Sequence, residues 1–294
     1  MSRLDLSIDV RLRSGAARRL ASLPVAAIVC SVLAASADHA IAADWPGDSL
    51  RGSLTPNYAR WDGWQFGVQA GLANMNADFG NSTSGLVAFI LRNTTIENEF
   101  APSNWATLPS NGTNGQVYGL FLGYNMQWDQ LVLGWDIIYN NTASSLESGA
   151  QDSIGRQFVT SDGFTNQVSI DARSSVRLID YAALRGRAGY AFSQFLPYVT
   201  AGLVLGRFNS STTATVFSQG TNAGTGATFG PNVDTRVTGK DNAFIGGAAA
   251  ALGLDWAITP GIFLRAEWQY IVFGPLMGTR THLNTGQLGV GARF

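Results

Sequence analysis

The chain has 294 residues, 11% of them aromatic and only 13% charged, with 34 glycines and a net charge of −1. Average globular domains carry about 25% charged residues, so this is not the composition of an ordinary soluble surface. The balance of charge offers no basic excess for nucleic acid, and Lys240 is the only lysine.

Residues 1–42 read as a secretory signal peptide. Arg3, Arg11, Arg13, Arg18 and Arg19 precede an apolar run from Leu20 to Ala37, and Ala40-Ile41-Ala42 supplies a small-x-small cleavage site. The run falls short of the ~20 residues of a membrane-spanning helix and is broken by Ser22, Pro24 and Ser31. Cys30, the only cysteine, lies inside it; Val29 before it does not fit a lipoprotein signal. This reading leaves 43–60 as a periplasmic N-terminal segment and 61–294 as the folded domain.

From there the chain alternates with a period of two, the mark of strands with two different faces. Trp64, Phe66, Val68, Ala70 and Leu72 share one face, with Gln65, Gly67, Gln69 and Gly71 on the other. In 119–141, Leu120, Leu122, Tyr124, Met126 and Trp128 alternate with small or polar residues. The pattern restarts after Asp129-Gln130 with Leu131, Leu133, Trp135, Ile137 and Tyr139. Phe121, Val132 and Ile138 are apolar exceptions on the polar face. Leu184, Gly186, Ala188 and Tyr190 oppose Arg185, Arg187 and Gly189; past a turn at Ser193-Gln194, Val199, Ala201, Leu203 and Leu205 oppose Tyr198, Thr200, Gly202 and Val204. Leu252, Leu254 and Trp256 oppose Gly253 and Asp255. After Thr259-Pro260-Gly261, Leu264, Ala266, Trp268, Tyr270 and Val272 oppose Arg265, Glu267 and Gln269. The chain ends with Leu288, Val290, Ala292 and Phe294 on one face.

These segments predict eight strands of roughly ten to fourteen residues, against the ~9–11 that cross a bilayer. Tight turns alternate with long connections at about 76–114, 141–177 and 209–241, rich in Asn, Ser, Thr and Gly, and a shorter one at 274–282. The polar face is thick with glycine and poor in charge, and Trp128, Tyr139, Tyr190, Trp256 and Tyr270 cluster near strand ends on the apolar face, as in aromatic girdles. A soluble sandwich would bury its apolar face; here that face is set against lipid. The predicted fold is all-β: an eight-stranded antiparallel up-and-down transmembrane β-barrel with short periplasmic turns and long extracellular loops. On this reading Asp129, Gln194 and Pro260 are periplasmic. The apolar run Gly85–Asn93 reads as a strand extension or a short helix over the barrel mouth.

The stretches 61–71, 123–136, 184–203, 253–270 and 289–294 resemble small porin-like outer-membrane proteins of alphaproteobacteria, relatives of the OmpA-like eight-stranded barrels. Asp136 and Asp255 stand where such proteins often carry Glu. The resemblance implies an outer-membrane location among lipid and lipopolysaccharide, surface-exposed loops, and a C-terminal aromatic, Phe294, read by the barrel-assembly machinery. It implies no single activity; relatives include porins, surface antigens and haem binders.

Parity points Asp136, Arg185, Arg187, Asp255, Arg265 and Glu267 into the lumen. Eight strands enclose a space just wide enough for side chains, where charges must pair or meet water. Asp136 can reach Arg185 or Arg187, and Asp255 can reach Arg265. The bland outcome is a structural ion-pair core; the functional one is a narrow path for ions, helped by water in the space left by glycines. His282 is the only histidine after residue 42. It has no evident nucleophile or orienting partner beside it, so no enzymatic role, cofactor or metal is expected. The expected function is that of an envelope structural or surface protein with at most weak diffusion. The rival is a ligand-binding protein or adhesin acting through its loops, on haem or on a host or matrix ligand.

Overall fold

The computed structural model describes residues 59–294, so the predicted signal peptide and all but the end of segment 43–60 lie outside the described residues. The alternating segments become β1 (Gly63–Asp78), β2 (Asn111–Trp128), β3 (Leu131–Val159), β4 (Phe164–Tyr190), β5 (Phe195–Asn222), β6 (Thr228–Ala257), β7 (Ile262–Phe273) and β8 (Arg280–Arg293). Each pairs antiparallel with its sequence neighbour, and β8 pairs back onto β1, closing the sheet. No helix among the described residues is long and apolar enough to cross a membrane; these strands cross instead, with every backbone group paired by closure.

The expected faces hold. Leu72, Leu120, Leu184, Leu203, Leu252 and Leu288 are all more than half exposed on the outside, whereas Phe121, Val132 and Ile138 are buried inside. Segment 243–254, glycine- and alanine-rich, is strand rather than helix. Outward aromatics gather at the end with the tight turns. There Trp64 packs edge-on against Tyr124 and Trp135 (centroids 5.3 and 5.8 Å), and Phe195 stacks on Trp256.

Two of the three longest expected connections are corrected by the structure. Residues 141–177 and 209–241 are mostly strand, so that β3 to β6 run for 27 to 30 residues each and join through short tips at 160–163 and 223–227. The reason lies in a reversal of polarity. Along β4, Tyr181, Ala183, Arg185 and Arg187 point inward and their apolar neighbours face lipid. A bulge between Leu178 and Asp180 flips the parity. Beyond it Val168, Ile170, Ala172, Val176 and Leu178 point inward and are buried, while Gln167, Asp171 and Arg173 face out. A strand that is polar outside and apolar inside stands in water, not lipid. Four strands therefore continue beyond the bilayer as a sheet with its own small core.

That core is covered by the connection between β1 and β2. Helix α1 (Ser84–Ile90) and helix α2 (Thr95–Phe100) carry Val87 and Ile96 into it, joined by Leu91 and Leu108. The predicted apolar run is thus a short helix over the sheet. Thr94 caps α2 by accepting from Glu97 N–H at 3.2 Å. The helix is clasped to the β3–β4 tip: Thr95 Oγ1 donates to Asp162 Oδ2 at 2.9 Å, and Ser161 N–H to Glu99 Oε2 at 3.0 Å. Hydrogen bonds from Thr160 and then Thr95 hold the Asp162 carboxyl below the usual carboxylate range.

Paired strands do not enter a protease cleft, whereas tips do. Proteinase K acting on the detergent-solubilised barrel is expected to cut within 223–227 and to leave 141–158 and 209–221 intact. Early cleavage inside those strand stretches, mapped by mass spectrometry, would return them to irregular loops.

Candidate functional site

The six charged residues singled out by parity all lie inside the barrel at the level of the bilayer, each 5% exposed or less. Strand register sets the first contact. Asp136 on β3 is the cross-strand partner of Arg185 on β4, and the pair is bidentate, Nε to Oδ1 at 2.8 Å and Nη2 to Oδ2 at 2.9 Å. Arg185 then spans the lumen. Its Nη1 donates to Glu267 Oε1 at 2.6 Å and its Nη2 to Oε2 at 3.1 Å, on β7 opposite. Asp255 on β6 faces its register partner Arg265 on β7 and accepts from Nε at 3.0 Å and Nη2 at 3.1 Å. Asp255 is also hydrogen-bonded by Arg187, reaching across from β4. Arg265 Nη1 lies 3.9 Å from Asp136 Oδ2 and so joins the two clusters.

Three guanidinium groups thus meet three carboxylates, with no net charge enclosed. The Asp136–Arg185 and Asp255–Arg265 pairs follow from register alone. Arg187 to Asp255 and Arg185 to Glu267 are contacts across the barrel, which neighbour relations along the sequence do not reveal.

Sequence reasoning passed over the rings and amides that complete the plug. Tyr198 Oη donates to Glu267 Oε2 at 2.8 Å, and the Arg187 guanidinium sits 3.6 Å from the Tyr198 ring centroid. Arg265 sits 4.0 Å over Phe121. Gln65 Oε1 accepts from Arg265 at 3.3 Å and Arg187 at 3.4 Å. Beside Gly253 and Gly67 these rings fill the space that was expected to hold water. A Cβ on Gly253 would collide with the Tyr198 ring, and one on Gly67 with the Phe121 ring. Glycine here lets the aromatic side chain of its register partner on the neighbouring strand, Tyr198 beside Gly253 and Phe121 beside Gly67, lie flat over it into the lumen. The signal for this was present: aromatic residues on the polar face, opposite glycines.

A second layer closes the turn end of the lumen. Trp61 is buried, packs edge-on against Phe263 at 5.9 Å, and lies under the Arg293 guanidinium at 4.3 Å; its backbone N–H donates to Gln127 Oε1 at 2.5 Å. At the opposite end, Tyr181, Gln269 and Gln287 form a buried hydrogen-bonded set, with Gln287 donating to Tyr181 Oη at 3.2 Å. His282 stands apart on the outward face of β8, stacked on Tyr270 with Nδ1 3.3 Å from Tyr270 Oη. No cluster of potential metal ligands occurs among the described residues.

Residues 27–294 match the model of the family described as outer membrane protein beta-barrel domain. The chain belongs to that family. It is an integral protein of the outer membrane. No relative is found among the curated proteins. Among solved structures it is similar to Neisserial surface protein A (17% identity, 78% of this chain and 97% of that one, TM-score 0.32). It is also similar to OprG of Pseudomonas aeruginosa (11%, 79% and 97%, TM-score 0.35) and to Ail, the attachment invasion locus protein of Yersinia pestis (12%, 79% and 99%, TM-score 0.28).

The plug makes a stability prediction. Arg185→Met strands both Asp136 and Glu267 without their main partner. Breaking a buried ion pair on one side costs about 3–5 kcal/mol, whereas replacing all partners by apolar groups of like volume is often neutral or better. Urea unfolding in lipid vesicles should therefore show a large loss for Arg185→Met and a much smaller one for Arg185→Met with Glu267→Leu, which leaves Arg187 and Arg265 matched by Asp136 and Asp255. Equal losses would show that the network is not energetically coupled.

Proposed function

We propose that this barrel serves the envelope as a structural and surface protein and passes solutes poorly. The single observation that carries the reading is the six-residue ion-pair plug, buried between rings and backed by Trp61. A path for ions needs charges that water can reach; here each charge is committed to another side chain. Enzymatic chemistry is not the main role on this reading: His282, on the outward face, is stacked on Tyr270 and hydrogen-bonded to its hydroxyl, away from the buried carboxylates of the lumen. The narrower kinship with small porin-like proteins of alphaproteobacteria rests on the strand motifs, and export by a cleaved N-terminal signal on residues 1–42.

Orientation follows the usual bacterial arrangement, short turns in the periplasm and long elements outside. Asp129, Gln194 and Pro260 are then periplasmic, and the four-stranded sheet with its helical cover stands outside, above the lipopolysaccharide-bearing leaflet. A second role, loop-mediated binding, draws on one observation: a folded outer sheet with its own core is a larger investment than barrel closure requires.

Planar-bilayer recording tests the main reading. Small steps or none are expected from the intact protein; large, stable, porin-sized steps would overturn it. Phe294 bears on assembly. It is 75% exposed on the outer face, lies edge-on to Phe66 at 5.8 Å, and exchanges backbone hydrogen bonds with Trp64 at 3.0 and 3.1 Å. A charge near the interface costs a finished barrel only about 0–1 kcal/mol. Phe294→Asp should therefore refold almost normally in detergent yet lose its outer-membrane level in cells, because recognition by the assembly machinery fails. Normal surface levels of this variant would remove Phe294 from the assembly signal.

A further inference from the structure

β6 leaves the barrel wall with a free edge. Up to Gly247 it pairs with β7, and Gly274 N–H still donates to Gly246. Beyond, residues 228–244 pair with β5 on one side and, among the described residues, with no strand on the other. An open edge presents a row of unpaired N–H and C=O groups, a template for another strand. Proteins that avoid such pairing place charge or proline along the edge. Here Pro231 bounds the stretch distally and Asp234, Arg236, Lys240 and Asp241 lie along it, but these charges are of both signs, which admits an edge of complementary order, and Val233 and Val237 are 65% and 68% exposed.

The five residues 233–237 read Val-Asp-Thr-Arg-Val. Turned end for end about Thr235, the string sets Val against Val, Asp234 against Arg236, and Thr235 against itself. Antiparallel pairing with an identical strand thus forms two opposite-charge pairs and two valine pairs, with no like charges opposed. Residues 234–237 also line an open cleft of about 610 Å³ with Ile90, Arg92 and Asn93. Space for an approaching backbone therefore lies beside this stretch.

We propose that this edge pairs with the same edge of a second copy, antiparallel about a two-fold axis through Thr235. The proposal rests on the orientation given above, with the sheet outside the cell. The axis relating two antiparallel edge strands is perpendicular to their sheet. These strands rise out of the bilayer, so the axis lies in the membrane plane and the two copies stand in facing membranes. The contact is homotypic adhesion between cells, not a dimer within one bilayer.

The test uses the full chain in detergent with Cys30→Ser as background. Thr235→Cys should form a disulfide dimer on mild oxidation, because directly opposed residues lie about 4.5–5.5 Å apart, within the span a disulfide bridges. Thr215→Cys, one strand further in on the same face, should not. Asp234→Arg and Arg236→Asp should each be monomeric, since each opposes like charges, and a one-to-one mixture should form a heterodimer in which every opposed pair is Arg against Asp. Cells displaying the protein should clump; cells carrying Asp234→Arg should clump with cells carrying Arg236→Asp but not among themselves. Absence of the Thr235→Cys cross-link, equal cross-linking at Thr215→Cys, or clumping indifferent to both charge variants overturns the pairing. A detergent dimer without clumping overturns the facing-membrane arrangement. Heat-dependent gel mobility of each variant reports folding, and the cysteine arm stands if a charge variant fails to fold. Protease cleavage at 223–227 on intact cells, run in parallel, separates a wrong orientation from a failed pairing.

Discussion

Lipid offers the backbone no hydrogen bonds, and an unpaired N–H or C=O in hydrocarbon costs several kcal/mol. Everything else in this structure depends on meeting that constraint by closure of β8 onto β1. The seam runs from Gln65 opposite Arg293 to Asp78 opposite Arg280, and Phe294 extends it by pairing its backbone with Trp64. Closure at eight strands fixes the diameter, and this diameter leaves room for side chains and little more. Once the lumen is that narrow, any charge placed in it touches its neighbours. The ion-pair plug is thus a consequence of strand count as much as of the particular acids and bases.

The same constraint explains why the wall stops being a membrane wall where it does. Below the bulge at Leu178/Asp180 the strand is greasy outside and polar inside; above it the order reverses. No helix or linker marks the change. On β4 one extra residue turns the apolar set from lipid to the inside, because the side-chain period is two; on β5 the inward parity is kept and the outward residues themselves change, from Val199, Leu203 and Leu205 to Ser211, Thr213 and Thr215. The barrel can therefore raise a folded sheet above the membrane without a separate domain, and α1 and α2 need only cover one face of it.

How much of this could be read from the residues depended on which environment each segment met. The membrane-spanning strands were legible, since lipid outside and a polar lumen inside stamp a strong contrast on Leu, Trp and Tyr against Gly, Gln and Arg. The strand stretches beyond the membrane were not, because Ser and Thr serve both faces and look like loop. Yet "VSIDARSSVRLI", 168–179, carries the reversed alternation in plain form; a search for strands of one polarity passes over it. Within the plug, Asp136–Arg185 and Asp255–Arg265 were legible as neighbours on adjacent strands. Arg187–Asp255 and Arg185–Glu267 were not, because contacts across a lumen depend on strand tilt and shear, which a single sequence does not display. Phe121 and Tyr198 were visible as apolar residues on the wrong face, and their meaning appears only beside Gly67 and Gly253.

The plug also helps decide which barrel forms. A slip of one residue in the pairing of β4 would turn Arg185 and Arg187 to lipid and Leu184 and Ala188 to the lumen. An arginine at the bilayer midplane costs about 2–4 kcal/mol on the lipid face of a barrel, and two would be displaced at once, while Asp136, Glu267 and Asp255 would lose partners inside. The valine and leucine faces alone discriminate less between registers, since Phe121, Val132 and Ile138 show that apolar residues are also welcome within. Charges that contribute little net stability to a finished fold can still fix register strongly, because the competing registers leave them in hydrocarbon. On this argument the network's first task is to specify which strand residues face inward, and the sealing of the lumen follows from its success.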